Sequence, residues 1–282
     1  MALDQMEEDG AKEMSFIDHL EELRWHVIRG VIAVFVVTIA AFVAKDFVIG
    51  TIIMGPAKGD FWTYRMLCEV AKFIEIPSLC IQELPFELIS RTLSGQFMTH
   101  ISVSFAVGLI IGFPYLFWEI WRFIKPGLYS KERKVSRGVT FFVSILFMTG
   151  ILFGYFIVAP ISVYFFSSYV VYEGLKNMFD LSSYISMMTM LVFGSGVLFQ
   201  LPMVVYFLAK IGLISSTWMK KYRKHAIIVI LIVAAIVTPP DPFTQMLVAL
   251  PLMVLYQLSI VVAKRVERRK EKARRREEAN KD

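Results

Sequence analysis

Four carboxylates, Glu21, Glu22, Glu119 and Glu132, lie beside long apolar runs in parts of the chain that are rich in lysine and arginine. Negative charges kept on a positive surface so close to the bilayer raise the question of a functional site. The alternative is structural, because such acids also neutralise neighbouring cations. For Glu21 alone we prefer a solvated helix face that fixes where the chain enters the membrane.

Glu119 and Glu132 belong to a segment, residues 118–133, whose composition is typical of a membrane–water interface. Aromatic side chains alternate there with cations, which number six from Arg122 to Arg137. Aromatic rings lie at lipid headgroups, and lysine and arginine favour the cytoplasmic side. Pro126 followed by Gly127 ends a helix and permits a sharp turn. The segment is therefore predicted as a cytoplasmic loop between two membrane spans.

Motifs of common enzyme classes are absent from the sequence. It has no GxxxxGK[ST] phosphate loop, no GxSxG nucleophile motif and no HExxH zinc motif. The four histidines, at positions 19, 26, 100 and 225, are scattered and do not form a metal-ligand pattern. We therefore expect no cofactor, no bound metal and no enzymatic activity.

The two cysteines, Cys68 and Cys80, lie in the longest loop between apolar runs, residues 45–91. An even pair confined to one extracytoplasmic loop favours a disulfide, and two unpaired buried thiols are the alternative. The same loop contains Pro85 and Glu87, in the order that is typical of a helix start. A helix is therefore predicted from about residue 85.

The elements that must position these residues are apolar helices. Of the 282 residues 56% are hydrophobic, and the mean hydropathy is +0.60. With its recurring uncharged runs, the chain is predicted to be an all-α membrane protein with six transmembrane helices, several kinked by proline. The third span is predicted to kink or end at Pro160. The predicted spans are residues 25–44, 96–117, 139–159, 181–209, 226–237 and 243–263.

Topology follows from the positive charges, because lysine and arginine favour cytoplasmic loops. The second and fourth loops and the C-terminal segment carry six, five and ten of these cations, whereas the third and fifth loops carry one and none. Both termini are therefore predicted in the cytoplasm, and the net charge of +6 needs no nucleic-acid partner. The predicted domains are a disordered acidic tail at 1–14, the membrane domain at 15–263 and a lipid-facing basic tail at 264–282.

Two polar positions near the later spans allow more than one interpretation. Gln200 lies two residues before Pro202, which has no N–H for the carbonyl of Leu198. A polar side chain beside an opened backbone either joins helices or marks a functional site. Asp241 precedes Pro242, and this pair predicts the N-cap and first residue of the sixth helix.

Four motifs, in this order along the predicted topology, are similar to those of one family. They are HLEELR at 19–24, FIKPGLYSKER at 123–133, GVLFQLP at 196–202 and TPPD at 238–241. On these motifs the chain resembles TatC, the multi-span core subunit of the twin-arginine protein translocase. The resemblance covers about residues 15–263 and leaves out the acidic tail, the long first loop and the basic tail.

The resemblance implies a receptor in the bacterial cytoplasmic membrane for signal peptides with adjacent arginines. It also implies single-span partners of the TatA and TatB type, self-association, and transport of folded proteins driven by the proton-motive force. By the motif match, Glu22 and Glu132 would each hold one arginine of the signal peptide. The match assigns five more residues to the signal-peptide site, Arg24, Phe123, Pro126, Tyr129 and Arg133.

One departure from the family pattern is Gln200, where the family commonly has glutamate. A buried glutamate titrates and a glutamine does not, so the resemblance does not carry a proton-transfer step to this position. Hydrogen bonding survives the change, and contact with a partner helix is the predicted role of Gln200.

Two other function classes fit the sequence less well. A small-solute transporter is disfavoured because the sequence shows no internal inverted repeat and no charged residue deep in a predicted span. An intramembrane enzyme would need a nucleophile with its base, or a metal motif, at membrane depth. Solute-uptake assays in vesicles distinguish the transporter from a peptide receptor.

Overall fold

A computed structural model describes residues 16–76, 80–81, 84–124, 138–172, 176–239 and 241–279. The predicted acidic tail, residues 1–14, lies outside these ranges. The α-helices are α1 (Phe16–Val43), α2 (Lys45–Phe47), α3 (Trp62–Phe73), α4 (Gly95–Ile124), α5 (Val139–Phe153), α6 (Ala159–Ser168), α7 (Leu181–Leu198), α8 (Leu201–Ile211), α9 (Ser216–Lys221), α10 (Arg223–Val237) and α11 (Pro242–Ala279). The other elements are π-helical segments at Val48–Ile53 and Gly154–Val158, a 3₁₀ turn at Gly55–Ala57, and strands β1 (Phe86–Ile89) and β2 (Asn177–Asp180).

Five stretches of the described chain are long and apolar enough to cross a membrane, namely Glu21–Val43, Gly95–Ile124, Val139–Ser168, Leu181–Ile211 and Pro242–Lys272. The chain is thus an all-α membrane protein, as its composition predicts. The fifth predicted run folds as α10, whose 15 residues extend about 22 Å, against a hydrocarbon core of about 30 Å. The six-span count and the cytoplasmic position of both termini stay predictions.

The apolar core forms where α4, α5, α6, α7 and α11 meet. Phe147 of α5, Leu191 of α7 and Leu252 of α11 are completely or almost completely buried there. The outward faces of the long helices keep large apolar side chains exposed, among them Phe35 and Phe141. Such exposure is expected where a helix faces lipid, since the outward surface is covered by acyl chains.

The sequence predicts that the third span kinks or ends at Pro160. It does not end there, because the helical path continues to Ser168, but the α-helix is interrupted just before Pro160 by the π-helical segment Gly154–Val158. Proline lacks an N–H, and its ring collides with the carbonyl four residues earlier, here that of Phe156. The π-helical segment directly before α6 accommodates this position. The carbonyl of Phe156 accepts a hydrogen bond from the hydroxyl of Thr63 instead. A side chain of the first loop therefore supports the interrupted helix.

The predicted fourth span is divided into α7 and α8, with Phe199 and Gln200 between them. Pro202 lies in the first turn of α8. Because a proline has no backbone N–H, it offers no donor to the carbonyl of Leu198. At the break, the backbone N–H of Gln200 donates to the carbonyl three residues earlier, that of Val197, at 3.0 Å. The break places the Gln200 side chain where helical geometry is interrupted.

The helix predicted from about residue 85 is wrong, because Phe86–Ile89 forms strand β1. It pairs in parallel with β2, with Phe86 opposite Asn177 and Ile89 opposite Asp180. Asp180 accepts hydrogen bonds from the backbone N–H groups of Arg91, at 3.2 Å, and Ser182, at 3.1 Å. A partner strand 91 positions along the chain overrides the local helix-start pattern, which propensity alone does not reveal.

Candidate functional site

Of the residues assigned to the predicted signal-peptide site, the structure describes three. Glu22 and Arg24 lie near the start of α1, and Phe123 lies in the last turn of α4. The side chain of Glu22 is 39% exposed, and the guanidinium carbon of Arg24 lies 5.7 Å from the ring centre of Trp25. The other four, Pro126, Tyr129, Glu132 and Arg133, lie outside the described residues. The meeting of Glu22 with Glu132 therefore stays a prediction.

A buried contact between His26, one turn after Glu22 on α1, and Glu119 joins α1 to α4. Nδ1 of His26 lies 2.5 Å from Oε2 of Glu119, and Glu119 is only 2% exposed. The hydroxyl of Tyr115, one turn earlier on α4, donates to Oε1 of Glu119 at 3.0 Å. Each oxygen of this buried acid therefore has a hydrogen-bond partner, as a buried charge requires.

His26 also connects the buried acid to the exposed one. Its Nε2 lies 3.9 Å from Oε1 of Glu22, while the other oxygen, Oε2, is buried with no hydrogen-bond partner among the described residues. With its Nδ1–H donated to Glu119, a neutral imidazole presents a lone pair to Glu22, whereas an imidazolium presents an N–H. We call Glu22, His26, Tyr115 and Glu119 the carboxylate cluster.

Close packing of α1 on α4 makes this contact possible. A Cβ atom added to Gly108 of α4 would lie only 2.0 Å from Oγ1 of Thr38, and one added to Gly30 of α1 would lie 2.6 Å from Cδ1 of Leu116. Glycine on each helix thus lets the two backbones approach, in the manner of small residues at membrane helix interfaces. The approach brings His26 within hydrogen-bond distance of an acid 93 positions away.

The sequence assigned no role to His26 or Tyr115, although it marked Glu119 as a membrane-proximal acid. Local signals for both residues exist, since His26 follows Glu22 by four positions and Tyr115 precedes Glu119 by four. Residues four apart lie on one helix face. The pairing between the two helices has no such local signal, because it depends on how each helix is rotated.

Gln200 was predicted to contact a partner helix, and in the structure it contacts a helix of its own chain. Its Nε2 donates to the backbone carbonyl of Val143 on α5, at 3.2 Å. Its Oε1 is buried, and no donor among the described residues reaches it. The side chain therefore joins α5 to the break between α7 and α8 and keeps one acceptor available.

Asp241 caps α11, the role predicted for it. Its Oδ1 accepts a hydrogen bond from the backbone N–H of Thr244, at 2.6 Å. This is the geometry of an N-cap, in which a short acidic side chain satisfies an otherwise unpaired N–H of the first turn. The other carboxylate oxygen, Oδ2, is buried with no hydrogen-bond partner among the described residues.

Cys68 and Cys80 are joined by a disulfide in the structure, with their Cα atoms 4.0 Å apart. The bridge ties the chain after α3 back onto that helix. Four residues before Cys68, the Tyr64 hydroxyl lies within hydrogen-bond distance of the carbonyl oxygens of Pro56, at 2.9 Å, and Pro160, at 2.8 Å. The disulfide and the contact with Pro56 therefore hold the first loop together, and the contact with Pro160 holds it to α6.

Comparison with known proteins agrees with the motifs and the architecture. The family model described as "Sec-independent protein translocase protein (TatC)" matches residues 18–251. The TatC of Blattabacterium sp. subsp. Periplaneta americana (strain BPLAN) is 42% identical over 260 residues, which are 92% of this chain and 98% of that protein. The TatC of Helicobacter pylori (strain J99 / ATCC 700824) is 45% identical over 169 residues, 60% of this chain and 68% of its own length.

Solved structures show the same relationship. The crystal structure of the twin-arginine translocase receptor TatC has a TM-score of 0.65 and 31% identity, covering 88% of this chain and 99% of that one. A second crystal structure of the receptor, in the detergent DDM, has a TM-score of 0.68 and 32% identity, covering 87% and 99% of the two chains. Motifs, helical architecture and relatives agree, and the chain belongs to the TatC family of Sec-independent protein translocase proteins.

Proposed function

We propose that this chain is the receptor for twin-arginine signal peptides in a translocase that moves folded proteins across the bacterial cytoplasmic membrane, driven by the proton-motive force. The observation that carries the proposal is the state of Glu22. This half-exposed acid has one carboxylate oxygen that is buried without a donor among the described residues. An unpaired buried acceptor costs free energy, which a guanidinium ligand would recover through a charge-assisted hydrogen bond.

In this proposal Glu22 and Glu132 each take one arginine of the signal peptide. Arg24, Phe123, Pro126, Tyr129 and Arg133 surround them, as the motif match implies. The nearby cations repel cationic peptides that cannot reach both acids, so the site selects for adjacent arginines. His26 keeps its place beside Glu22 because Glu119 holds its other nitrogen.

Binding of a labelled twin-arginine peptide to the purified full chain tests the proposal. Glu22→Ala and Glu132→Ala should each weaken binding by about tenfold to a hundredfold, the equivalent of about 1.5–3 kcal/mol for a charge-assisted contact. A peptide with both arginines replaced by lysine should also bind more weakly, because the planar fork of donors is lost. Glu21→Ala is the matched control, since Glu21 is exposed and adjacent to Glu22.

The proposal fails if both alanine variants bind the peptide with unaltered affinity at low salt. The acids would then only neutralise nearby cations such as Arg24 or Arg133. Equal weakening by Glu21→Ala would also count against it, because a general loss of negative charge would then explain the result.

The proposed partners are single-span proteins of the TatA and TatB type and further copies of this chain, in a membrane where both termini face the cytoplasm. The Oε1 of Gln200 is buried without a donor among the described residues, and a polar group from a partner helix packed at this break would supply that donor. Gln200→Leu should therefore weaken partner crosslinking. Gln200→Glu should be tolerated, because its protonated carboxyl both donates to the Val143 carbonyl and keeps an acceptor. Unchanged crosslinking in Gln200→Leu would mean that Gln200 only packs within its own chain.

A further inference from the structure

A groove between α5, α8 and α11 combines an apolar floor with two arginines at one end. Its volume is about 440 Å³, within the range of about 300–1,000 Å³ typical of small-molecule sites. Phe142 and Leu146 of α5 and Met203 of α8 line it, together with Val262, Arg265 and Arg269 of α11. Phe142 is 60% exposed, so the apolar side of the groove is open to the lipid.

The rotation of α11 directs both arginines to the groove. Ala263 and Val266 on the same helix are buried against Val205 and Ala209 of α8. Residues four apart lie on the same helix face, so Arg265 and Arg269 lie together at the edge of the interface between α8 and α11. Lys264 and Arg268, which are equally charged and exposed, do not line the groove.

The two groove arginines have no acidic partner in the described part of the chain, where neither makes a salt bridge or a side-chain hydrogen bond. Other exposed arginines on the same helix do pair. Arg274 lies 3.2 Å from Glu278 and Arg275 lies 2.5 Å from Glu271. Unpaired among the residues that the structure describes, the two guanidinium groups give the groove a positive end that calls for an anion.

The order of these features matches a phospholipid in the cytoplasmic leaflet. Along α11, Arg265 lies about 5 Å and Arg269 about 10 Å beyond Val262, so both arginines extend from the apolar floor toward the headgroup region. Phosphate binds arginine through paired hydrogen bonds, and acyl chains pack on phenylalanine, leucine and valine. Basic pockets between helices on the cytoplasmic side are suited to anionic headgroups.

We propose that the groove lined by α5, α8 and α11 binds one anionic phospholipid, with its phosphate on Arg265 and Arg269 and an acyl chain along Phe142 and Leu146. A zwitterionic lipid would gain less, because its own cation offsets the phosphate. This site is separate from the carboxylate cluster and does not depend on signal-peptide binding.

Native mass spectrometry of the purified full chain tests the proposal, with phosphatidylglycerol and phosphatidylcholine of identical acyl chains added in detergent. The wild-type chain should retain phosphatidylglycerol preferentially. Arg265→Gln with Arg269→Gln should lower that retention by about tenfold to thirtyfold, as expected for two interfacial cations. Lys264→Gln with Arg268→Gln removes the same charge from the same helix and should leave retention within about twofold of wild type, because these residues lie outside the groove.

The apolar half of the site has its own test. Leu146→Trp should fill the groove and reduce phosphatidylglycerol retention with no change in charge, while soluble glycerol phosphate should not compete. Thermal unfolding of each variant shows whether it is folded. Equal losses in the two charge variants, full retention in folded Leu146→Trp, or competition by glycerol phosphate would each overturn the proposal. So would a photocrosslinker at Phe142 that captured a single-span protein instead of lipid in native membranes.

Discussion

Two groups of polar side chains, one at the beginning of α1 and one beyond its end, differ in whether they can carry charge. At the beginning of α1, the carboxylate cluster buries ionisable groups that contact one another. Beyond its end, neutral hydroxyl groups donate to backbone carbonyls in or next to irregular helix segments. This second group, the hydroxyl cluster, comprises Thr63, Tyr64, Tyr155 and Tyr184.

The hydroxyl cluster satisfies the backbone without introducing charge. Tyr155 and Tyr184 donate to the carbonyls of Ile52 and Ile53, each at 2.8 Å, at the end of a π-helical segment. Burial raises the pKa of Tyr64 above its usual value, so its hydroxyl stays a donor at any physiological pH. These bonds are permanent structural contacts in a region with irregular backbone.

The carboxylate cluster is the more costly arrangement, because a charge must be removed from water and then compensated. In the proposed function its exposed member, Glu22, binds a cationic ligand, whereas the hydroxyl cluster has only structural contacts. We infer that the hydroxyl end fixes the fold and the carboxylate end serves recognition. The following predictions test that division, from the largest expected effect to the smallest.

Removing the buried acid should have the largest effect on stability. Glu119→Ala leaves His26 and the Tyr115 hydroxyl without their partner, and breaking a buried pair typically costs about 3–5 kcal/mol. Unfolding of the purified chain in detergent measures this loss. The double variant His26→Leu with Glu119→Leu should be less destabilised than the single one, because no orphaned partner remains. Wild-type stability of Glu119→Ala would show that the pair does not hold α1 to α4.

The disulfide of the first loop should have the next largest effect. Replacing Cys68 and Cys80 by serine should lower local stability by about 3 kcal/mol, the usual value for a bridge that closes a short loop. Limited proteolysis of the loop compares the two forms. Mass spectrometry of unreduced protein should find the linked peptides, and two freely alkylated thiols in intact cells would rule the bridge out.

Loss of one hydroxyl from the hydroxyl cluster should cost less. Tyr64→Phe should destabilise the chain by about 1–3 kcal/mol, since the nearby carbonyls lose a buried donor. Signal-peptide affinity should not change, because this cluster serves the fold. Tyr169→Phe is the control, as its ring is 63% exposed. Weakened peptide binding in a folded Tyr64→Phe variant would contradict the division of roles.

Asp180, the partly buried last residue of β2, should give the smallest effect. The hydrogen bond from the backbone N–H of Arg91 lowers the pKa of Asp180, and bonds from Ser182 act in the same direction. Its contribution to stability is therefore present above the ordinary aspartate pKa of about 4 and is lost as the pH falls through the lower, folded value. Asp180→Asn should reduce the drop in thermal midpoint on acidification. An identical pH profile would show that Asp180 does not couple to folding.

The sequence by itself determined the membrane class, most helix positions, the cap at Asp241 and the family. These features are local, because hydropathy, capping residues and short motifs act within a few turns of chain. Even the short length of α10 was visible as a run of twelve apolar residues. The same local reasoning failed at Phe86–Ile89, where a helix start was predicted and a strand formed.

Only the tertiary structure decided which distant residues meet. His26 reaches Glu119 across 93 positions because glycines let α1 and α4 approach, and the rotation of each helix turns both side chains inward. The partner of β1 lies in another loop, and Thr63 supports the carbonyl that Pro160 leaves unpaired. Such contacts depend on packing and relative rotation, which no single segment encodes. Local patterns therefore predicted the helices, and their packing decided which polar side chains they bury together.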